Sequence, residues 1–222
     1  MASIKSTKRS VFLVDDHPLV REWLTNLVNQ QPDLVVCGEA ETRGEALQRI
    51  EELKPDVAII DIALKNSSGL ELIKDIAQIC PETALLVLSM HDESHYAERS
   101  LRAGAKGYIM KRETTRNVIV AIRKVLEGQI YLSDTIARTI AGRLVGAQPS
   151  QGVSPIEQLS DRELEVFQML GHGTGTRQIS EALGISLKTV QAYCARIKEK
   201  LNLNTASELL REALRWTEST KT

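Results

Sequence analysis

The chain has 222 residues, 42% of them hydrophobic and 26% charged, with a formal net charge of −1 at pH 7. That is room for one large domain or two ordinary ones with the profile of a water-soluble globular protein, and no apolar run reaches bilayer-spanning length. Residues 1–130 carry 17 basic and 19 acidic side chains and residues 131–222 carry 11 and 10, so no strongly basic half announces a nucleic-acid ligand and any such role rests on local pattern.

The first expected element is a strand at 11–14, followed by a helix at 18–31 with Pro18 at its first position. The alternation continues with strands at 34–37, 57–60, 84–88 and 107–110, and helices at 43–53, 70–79, 94–103 and 114–126. Most of these strands are continuous runs of Val, Ile and Leu, the pattern of parallel strands covered on both faces. Pro55 and Pro81 close helices just ahead of strands. Five strand–helix units joined by right-handed crossovers predict a doubly wound five-stranded α/β domain.

The texture changes after Gly128. Residues 133–145 predict one more amphipathic helix, and 146–158 (GAQPSQGVSPIEQ) is a linker by composition. No strand pattern follows. Ser160 with Glu163, and Thr205 with Glu208, read as capping boxes. Glycines at 171–175, Gly184 and the Asn-rich 202–204 punctuate four short helices. The Gly171-x-Gly173-x-Gly175 run follows a helix rather than a strand, so it reads as a helix stop and not a nucleotide loop. The expected organisation is a domain at 1–128, a linker helix and flexible linker at 129–158, and a small all-α domain at 159–222.

Outside the carboxyl ends of such a sheet, where ligands bind, fall Asp15 and Asp16 after the first strand and Asp61 after the third. Like charges that close cost roughly 2–3 kcal/mol per pair at an effective dielectric near 20, and a hard, oxygen-preferring cation such as Mg²⁺ would offset the repulsion. Ser89 ends the fourth strand with a hydroxyl and Lys111 follows the fifth with an ammonium. A metal, a hydroxyl and a cation converging on one carboxylate is what a phosphorylated aspartate requires. Each carboxylate alone reads more readily as a solvated loop acid; five residues, each at the matching end of its own strand, do not.

Over about residues 8–128 the motifs VDDHP, VAIID, LSMHD and GAKGYIMK resemble the receiver domain of two-component response regulators, a flavodoxin-like fold. The resemblance implies that Asp61 is the phosphoacceptor, and that Asp15, Asp16, Asp61 and the Ala63 carbonyl hold Mg²⁺, directly or through water. It also implies that Ser89 donates to the phosphoryl group, that Lys111 pairs with it, and that Tyr108 is the aromatic switch, turning inward as the hydroxyl residue moves toward phosphate. The loop at 62–69 (IALKNSSG) has Leu64-Lys65 where the family usually has a Met-Pro or Leu-Pro pair; Lys65 reads as solvent-directed. Ala63 and His91 stand where the family tunes acyl-phosphate lifetime, and His17 reads as a loop residue rather than a ligand.

Residues 160–215 resemble the LuxR-type helix-turn-helix module through LSDRELEVFQML, RQISEALGIS and KTVQAYCARIKEKLNL, so the whole chain resembles a NarL/FixJ-family regulator. Gly184 fits the turn, Ser186 caps the second helix, and Leu187, Val190, Ile197 and Leu201 seat it. Lys188, Arg196 and Lys198 are the candidates for phosphates and Thr189, Gln191 and Tyr193 for base edges; the stretch 188–200 has a net charge of +3. Gln191, Tyr193 and Ala195 replace the family's usual Lys, His and basic residue, and Thr205-Ala206 its Asn/Ser-Arg pair, which predicts weaker, less salt-sensitive binding. The resemblance further implies a sensor histidine kinase or small phosphodonor, promoter DNA read as paired half-sites, a homodimer once phosphorylated, and an unphosphorylated receiver that often covers the recognition helix.

Cys37, Cys80 and Cys194 are odd in number and lack metal-ligand spacing, and the start MASIKSTKRS lacks a signal's apolar core, so a cytoplasmic regulator is expected and not an enzyme or membrane protein. Two rivals stand beside that reading. One is an output module that binds protein rather than DNA. The other is a Mg²⁺-dependent aspartyl phosphatase, though those place nucleophile and acid two apart on one strand end.

Overall fold

The computed structural model describes residues 8–64, 67–113, 115–144 and 155–219. The chain divides into two compact units, 1–141 and 142–222. The first unit runs β1 (Arg9–Val14), α1 (Pro18–Asn29), β2 (Leu34–Ala40), α2 (Arg43–Leu53), β3 (Val57–Ile60), β4 (Ala63–Leu64), β5 (Ser67–Ser68), α3 (Gly69–Ile79), β6 (Ala84–Ser89), α4 (Glu93–Ala103), β7 (Gly107–Met110) and α5 (Thr115–Leu126), and α6 (Asp134–Leu144) runs across the boundary at 141. Five strands make one parallel sheet in the order β2-β1-β3-β6-β7. This is the expected doubly wound fold.

Every residue of β3 is buried, as continuous apolarity requires of a central, doubly covered strand, and so is every residue of the edge strand β7. Alternate residues serve opposite layers. Val11, Leu13, Val57, Ile59, Leu86, Leu88 and Ile109 form one core with Leu24 and Val28 of α1 and Val118, Ile122 and Val125 of α5. Phe12, Val14, Ala58, Ile60, Leu85 and Val87 point the other way and are also buried. Edge strand β2 is half exposed and continues to Ala40, past the expected end at 37. The register slips between Val11 and Phe12, which pair with Val36 and Gly38. Cys37 is thus bulged out and the ladder resumes beyond it.

Two features lie outside the expected pattern. β4 and β5 pair as a small antiparallel hairpin just past Asp61; Lys65, between them, lies outside the described residues. After α5 the chain returns along the free edge of β7, where Tyr131 N–H donates to the Lys106 carbonyl (2.9 Å) and Tyr108 N–H to the Tyr131 carbonyl (2.9 Å). Ser133 Oγ then donates to Glu93 on α4 (2.6 Å), and Ile136 of α6 is buried.

From residue 155 on, the described residues of the second unit form a short 3₁₀ turn (Pro155–Gln158) and four helices, α7 (Asp161–Gly171), α8 (Thr176–Leu183), α9 (Leu187–Lys200) and α10 (Ala206–Ser219). Its core joins Phe167 to Trp216, ring centroids 5.6 Å apart, with Leu164, Ile179, Val190, Ile197 and Ala213 buried around them. The Ser160–Glu163 capping box forms as expected. At α10 the Thr205 hydroxyl accepts from Glu208 N–H (3.1 Å) and the Glu208 carboxylate accepts from Asn204 N–H (2.7 Å). Gly171 does more than stop α7: a Cβ there would lie 2.0 Å from Thr217 Oγ1 and 2.5 Å from the Ala213 carbonyl, so glycine permits the close approach of α10. Among the described residues no helix is long and apolar enough to cross a membrane.

Candidate functional site

The sheet's own hydrogen bonds run on into the residues singled out at its carboxyl edge. Asp61 N–H donates to the Val14 carbonyl (2.9 Å), Asp15 N–H to Ala40 (3.2 Å) and Lys111 N–H to Ser89 (2.8 Å). Each side chain is therefore launched from a fixed backbone position. Asp15 is 2%, Asp61 3% and Ser89 0% exposed.

The structure brings four of the predicted groups together. Lys111 Nζ lies 2.6 Å from Asp15 Oδ2 and 2.6 Å from Asp61 Oδ2, bridging the two buried carboxylates. The Ser89 hydroxyl accepts from His91 N–H (3.3 Å). Burial pushes the Asp61 carboxyl above its ordinary value; Lys111 and the Ser89 hydroxyl oppose this and the Asp15 charge adds to it. Burial pulls Lys111 down, but the Asp61 charge and the bonds to both carboxylates outweigh it and its ammonium is held above its ordinary value. One cation shared by two acids thus leaves the pocket short of positive charge.

Asp16 joins them, with ligating atoms of Asp15, Asp16, His17 and Asp61 all within 4.8 Å of one another. At that spacing each pair of full charges repels by about 3 kcal/mol at an effective dielectric of 20. Asp16 Oδ1 is buried and accepts no hydrogen bond, although the His17 Nδ1 lies 2.7 Å away and becomes an ion-pair partner when protonated. Three carboxylates, one with an unsatisfied buried oxygen, are the donor set of a hard divalent cation; the residues fit one. His17, read as a loop residue, stands just ahead of α1 in extended conformation without a side-chain capping bond, and its Nδ1 lies 3.2 Å from Asp15 Oδ1. Ala63 N–H donates to Asp61 Oδ1 (3.3 Å).

Tyr108 is fully buried, its hydroxyl donating to the His91 carbonyl (2.8 Å), and the His91 ring packs on Tyr96 at 4.8 Å. The aromatic points inward, its hydroxyl beneath the loop that follows Ser89. One residue that the sequence reading passed over also touches the pocket: Arg21 of α1, 7% exposed, donates Nη1 to the Asp15 carbonyl (2.7 Å).

The second candidate surface is α9. Ser186 caps it by accepting from Thr189 N–H (3.1 Å), and Gly184 ends α8 in the left-handed conformation at φ 62°. Val190 and Ile197 are buried as expected. Leu187 is not: it is 41% exposed, because in the first turn it has no preceding turn to pack against. Lys188, Gln191 and Arg196 are exposed, with Ala192, Ala195 and Glu199, along one stripe. Thr189, Tyr193 and Lys198 are half-buried, and the Thr189 hydroxyl is shared with Ser186 Oγ (2.8 Å).

Glu163 and Lys200 lock the carboxyl end of α9 to the start of α7. Glu163, 3% exposed, receives Ser160 N–H (2.7 Å) and Lys200 Nζ (2.6 Å). Burial pushes its carboxyl up, but the Lys200 bond and the two Ser160 groups prevail and hold it below the ordinary glutamate value. A lowered native value gives stability that is present above the unfolded value, about 4.3, and is lost as pH falls through the native one. Glu163→Gln keeps the capping geometry and loses the charged partner, so the unit should lose about 1–2 kcal/mol at neutral pH and part of its acid sensitivity. Urea transitions followed through Trp216, in a Trp23→Phe background, check both; equal midpoints at pH 7 would contradict the lock.

Comparison with known proteins gives two family matches. The response regulator receiver domain matches residues 11–123, and the luxR family of bacterial regulatory proteins matches 157–213. The oxygen regulatory protein NreC of Staphylococcus haemolyticus is 36% identical over 209 residues, covering 92% of this chain and 96% of that one. Its Staphylococcus epidermidis counterpart is 35% identical over 210 residues with the same coverage. Among solved structures, a LuxR-family response regulator from an Aurantimonas species is 34% identical with TM-score 0.58, over 63% of this chain and 99% of that one. RcsB from Salmonella enterica bound to promoter DNA, at 23% identity and TM-score 0.65, covers 93% of this chain and 98% of that one and supports the fold.

Proposed function

The chain belongs to the response regulators that join a receiver domain to a LuxR-type DNA-binding domain, and on that premise we propose that Asp61 accepts a phosphoryl group and thereby controls the binding of promoter DNA through α9. The observation that carries this reading is the Lys111 ammonium held 2.6 Å from both Asp15 and Asp61 in a buried pocket.

In the proposed reaction an Asp61 carboxylate oxygen attacks the phosphorus of a phosphohistidine or small acyl phosphate, and the donor's leaving group departs in line. Lys111 neutralises charge on an equatorial oxygen and Ser89 donates to another. Asp15, Asp16 and Asp61, with the Ala63 carbonyl, would hold Mg²⁺, which supplies charge neutralisation for the transferred group. Tyr108, buried with its hydroxyl on the His91 carbonyl, is the proposed switch. The phosphorylated form shifts a two-state equilibrium, releasing the output domain to pair on DNA. The proposed division is a receiver at 1–128, a linker at 129–158 and an output domain at 159–222, in a cytoplasmic protein served by a sensor histidine kinase. The phosphatase alternative places its acid two residues past the nucleophile; that position is Ala63, which offers only backbone groups.

Exposed Lys188 and Arg196 are proposed to bind phosphates and Gln191 a base edge. Changing both cations to alanine should weaken binding uniformly across sequences and lower the salt slope by about one unit for each phosphate left unneutralised. Gln191→Ala should cost about 1–3 kcal/mol at one base position. Titration of promoter fragments at several salt concentrations tests this. No retention of the unaltered protein at low salt would favour an output domain that binds protein instead.

A further inference from the structure

In α1 the residues facing the core are Arg21, Leu24 and Val28, so a guanidinium stands where helical periodicity calls for an apolar side chain. Burying that charge is costly unless its donors are used. Its Nη1 donates to the main-chain carbonyl of Asp15 (2.7 Å). Its Nη2 pairs with the Glu41 carboxylate, and its Nε, buried and without a hydrogen bond, faces Glu39 at 3.6 Å. Asp15 N–H is meanwhile held by the Ala40 carbonyl (3.2 Å). Both ends of the Asp15 residue are therefore tied down, one to β2 directly and the other to β2 through Arg21.

We propose that Arg21 is a positioning residue for the acidic pocket: by fixing the Asp15 carbonyl against Glu39 and Glu41, at and just past the end of β2, it sets the direction in which the Asp15 and Asp16 carboxylates leave the strand. It touches no reacting group and acts through Asp15. The alternative is a bulk electrostatic role, and the two differ in sign. A cation behind the carboxylates disfavours a divalent cation by simple Coulomb repulsion, so removing its charge would tighten Mg²⁺ binding, whereas losing the brace loosens it. Removal of groups that orient metal ligands typically costs 10–100-fold in affinity.

The charge-conserving variant separates the two. Arg21→Lys keeps the cation but lacks the planar fork that bonds a carbonyl and a carboxylate at once. Calorimetric titration of the full chain with Mg²⁺ should show binding roughly 10-fold weaker in Arg21→Lys than in the unaltered protein. Arg43→Met, which breaks the remote Arg43–Asp75 pair between α2 and α3, should stay within twofold. In acetyl phosphate reactions the Mg²⁺ concentration for half-maximal rate should rise while the rate at saturating Mg²⁺ holds. The inference rests on the phosphoacceptor reading of the pocket, and the failures differ: an unaltered chain that takes up no Mg²⁺ sinks that reading. An unaltered chain that binds, beside Arg21→Lys within twofold of it, sinks the role of Arg21 alone. If Arg21→Lys does not fold, Glu41→Gln cuts the outer anchor at an exposed position; weaker Mg²⁺ binding supports the brace and unchanged binding overturns it.

Discussion

Replacing Gly69 by alanine is expected to destabilise the receiver by about 1–3 kcal/mol and to slow phosphoryl uptake together. A Cβ at Gly69 would lie 2.1 Å from the Asp61 carbonyl oxygen, 2.9 Å from its carbon and 2.7 Å from Ile62 Cα. All three are backbone atoms, so no side chain can swing aside. The close approach exists because the β4–β5 hairpin folds back on the end of β3, where Gly69 N–H donates to the Ile62 carbonyl (2.9 Å). The added methyl must push the chain at residues 61–62, and with it the carboxylate at the centre of the pocket. A urea midpoint and an acetyl phosphate uptake rate measured on the same variant check the two effects. An unchanged midpoint would show that the hairpin yields freely and does not fix Asp61.

The receiver was legible because each pocket residue stands directly beyond, or at the end of, an apolar run that can only be a buried strand. VFLV precedes Asp15, VAII precedes Asp61, and GYIM precedes Lys111. Period and punctuation thus carried the chemistry to one edge of the sheet without any knowledge of distances. What they could not supply is the sharing of one ammonium by two carboxylates, which depends on side-chain reach across β1, β3 and β7.

Other features were hidden for identifiable reasons. The strands of the 63–68 hairpin are two residues each, too short to have a period. Arg21 lies in phase with Leu24 and Val28, and a charge in the buried phase was the available signal. The edge pairing of Tyr131 with Gly107 involves one residue and leaves no pattern in sequence. On α9 the apolar spacing correctly chose Val190 and Ile197 but also chose Leu187, whose place in the first turn leaves it in solvent. The glycine at 171 was explained by helix termination alone, since the neighbouring α10 that requires it is more than 30 residues further along the chain.

Asp61→Asn is expected to abolish phosphoryl uptake outright, the largest single effect in the account. An amide is no nucleophile here and offers Lys111 no charge. The loss would not reflect unfolding. Burial raises the native value of the Asp61 carboxyl above its ordinary one, and for an acid this means that the ionised form is disfavoured by the fold, its cost growing as pH rises through the carboxylate range. A neutral side chain of the same shape should therefore be tolerated at pH 7, and the urea midpoint should be equal to that of the unaltered protein or higher.

The decisive measurement is the intact mass of the full chain after incubation with acetyl phosphate and Mg²⁺, taken beside that of Asp61→Asn. The unaltered chain should gain one phosphoryl group, the variant none, and neither should gain any without Mg²⁺. Equal uptake by both chains, or none by the unaltered one, would contradict it.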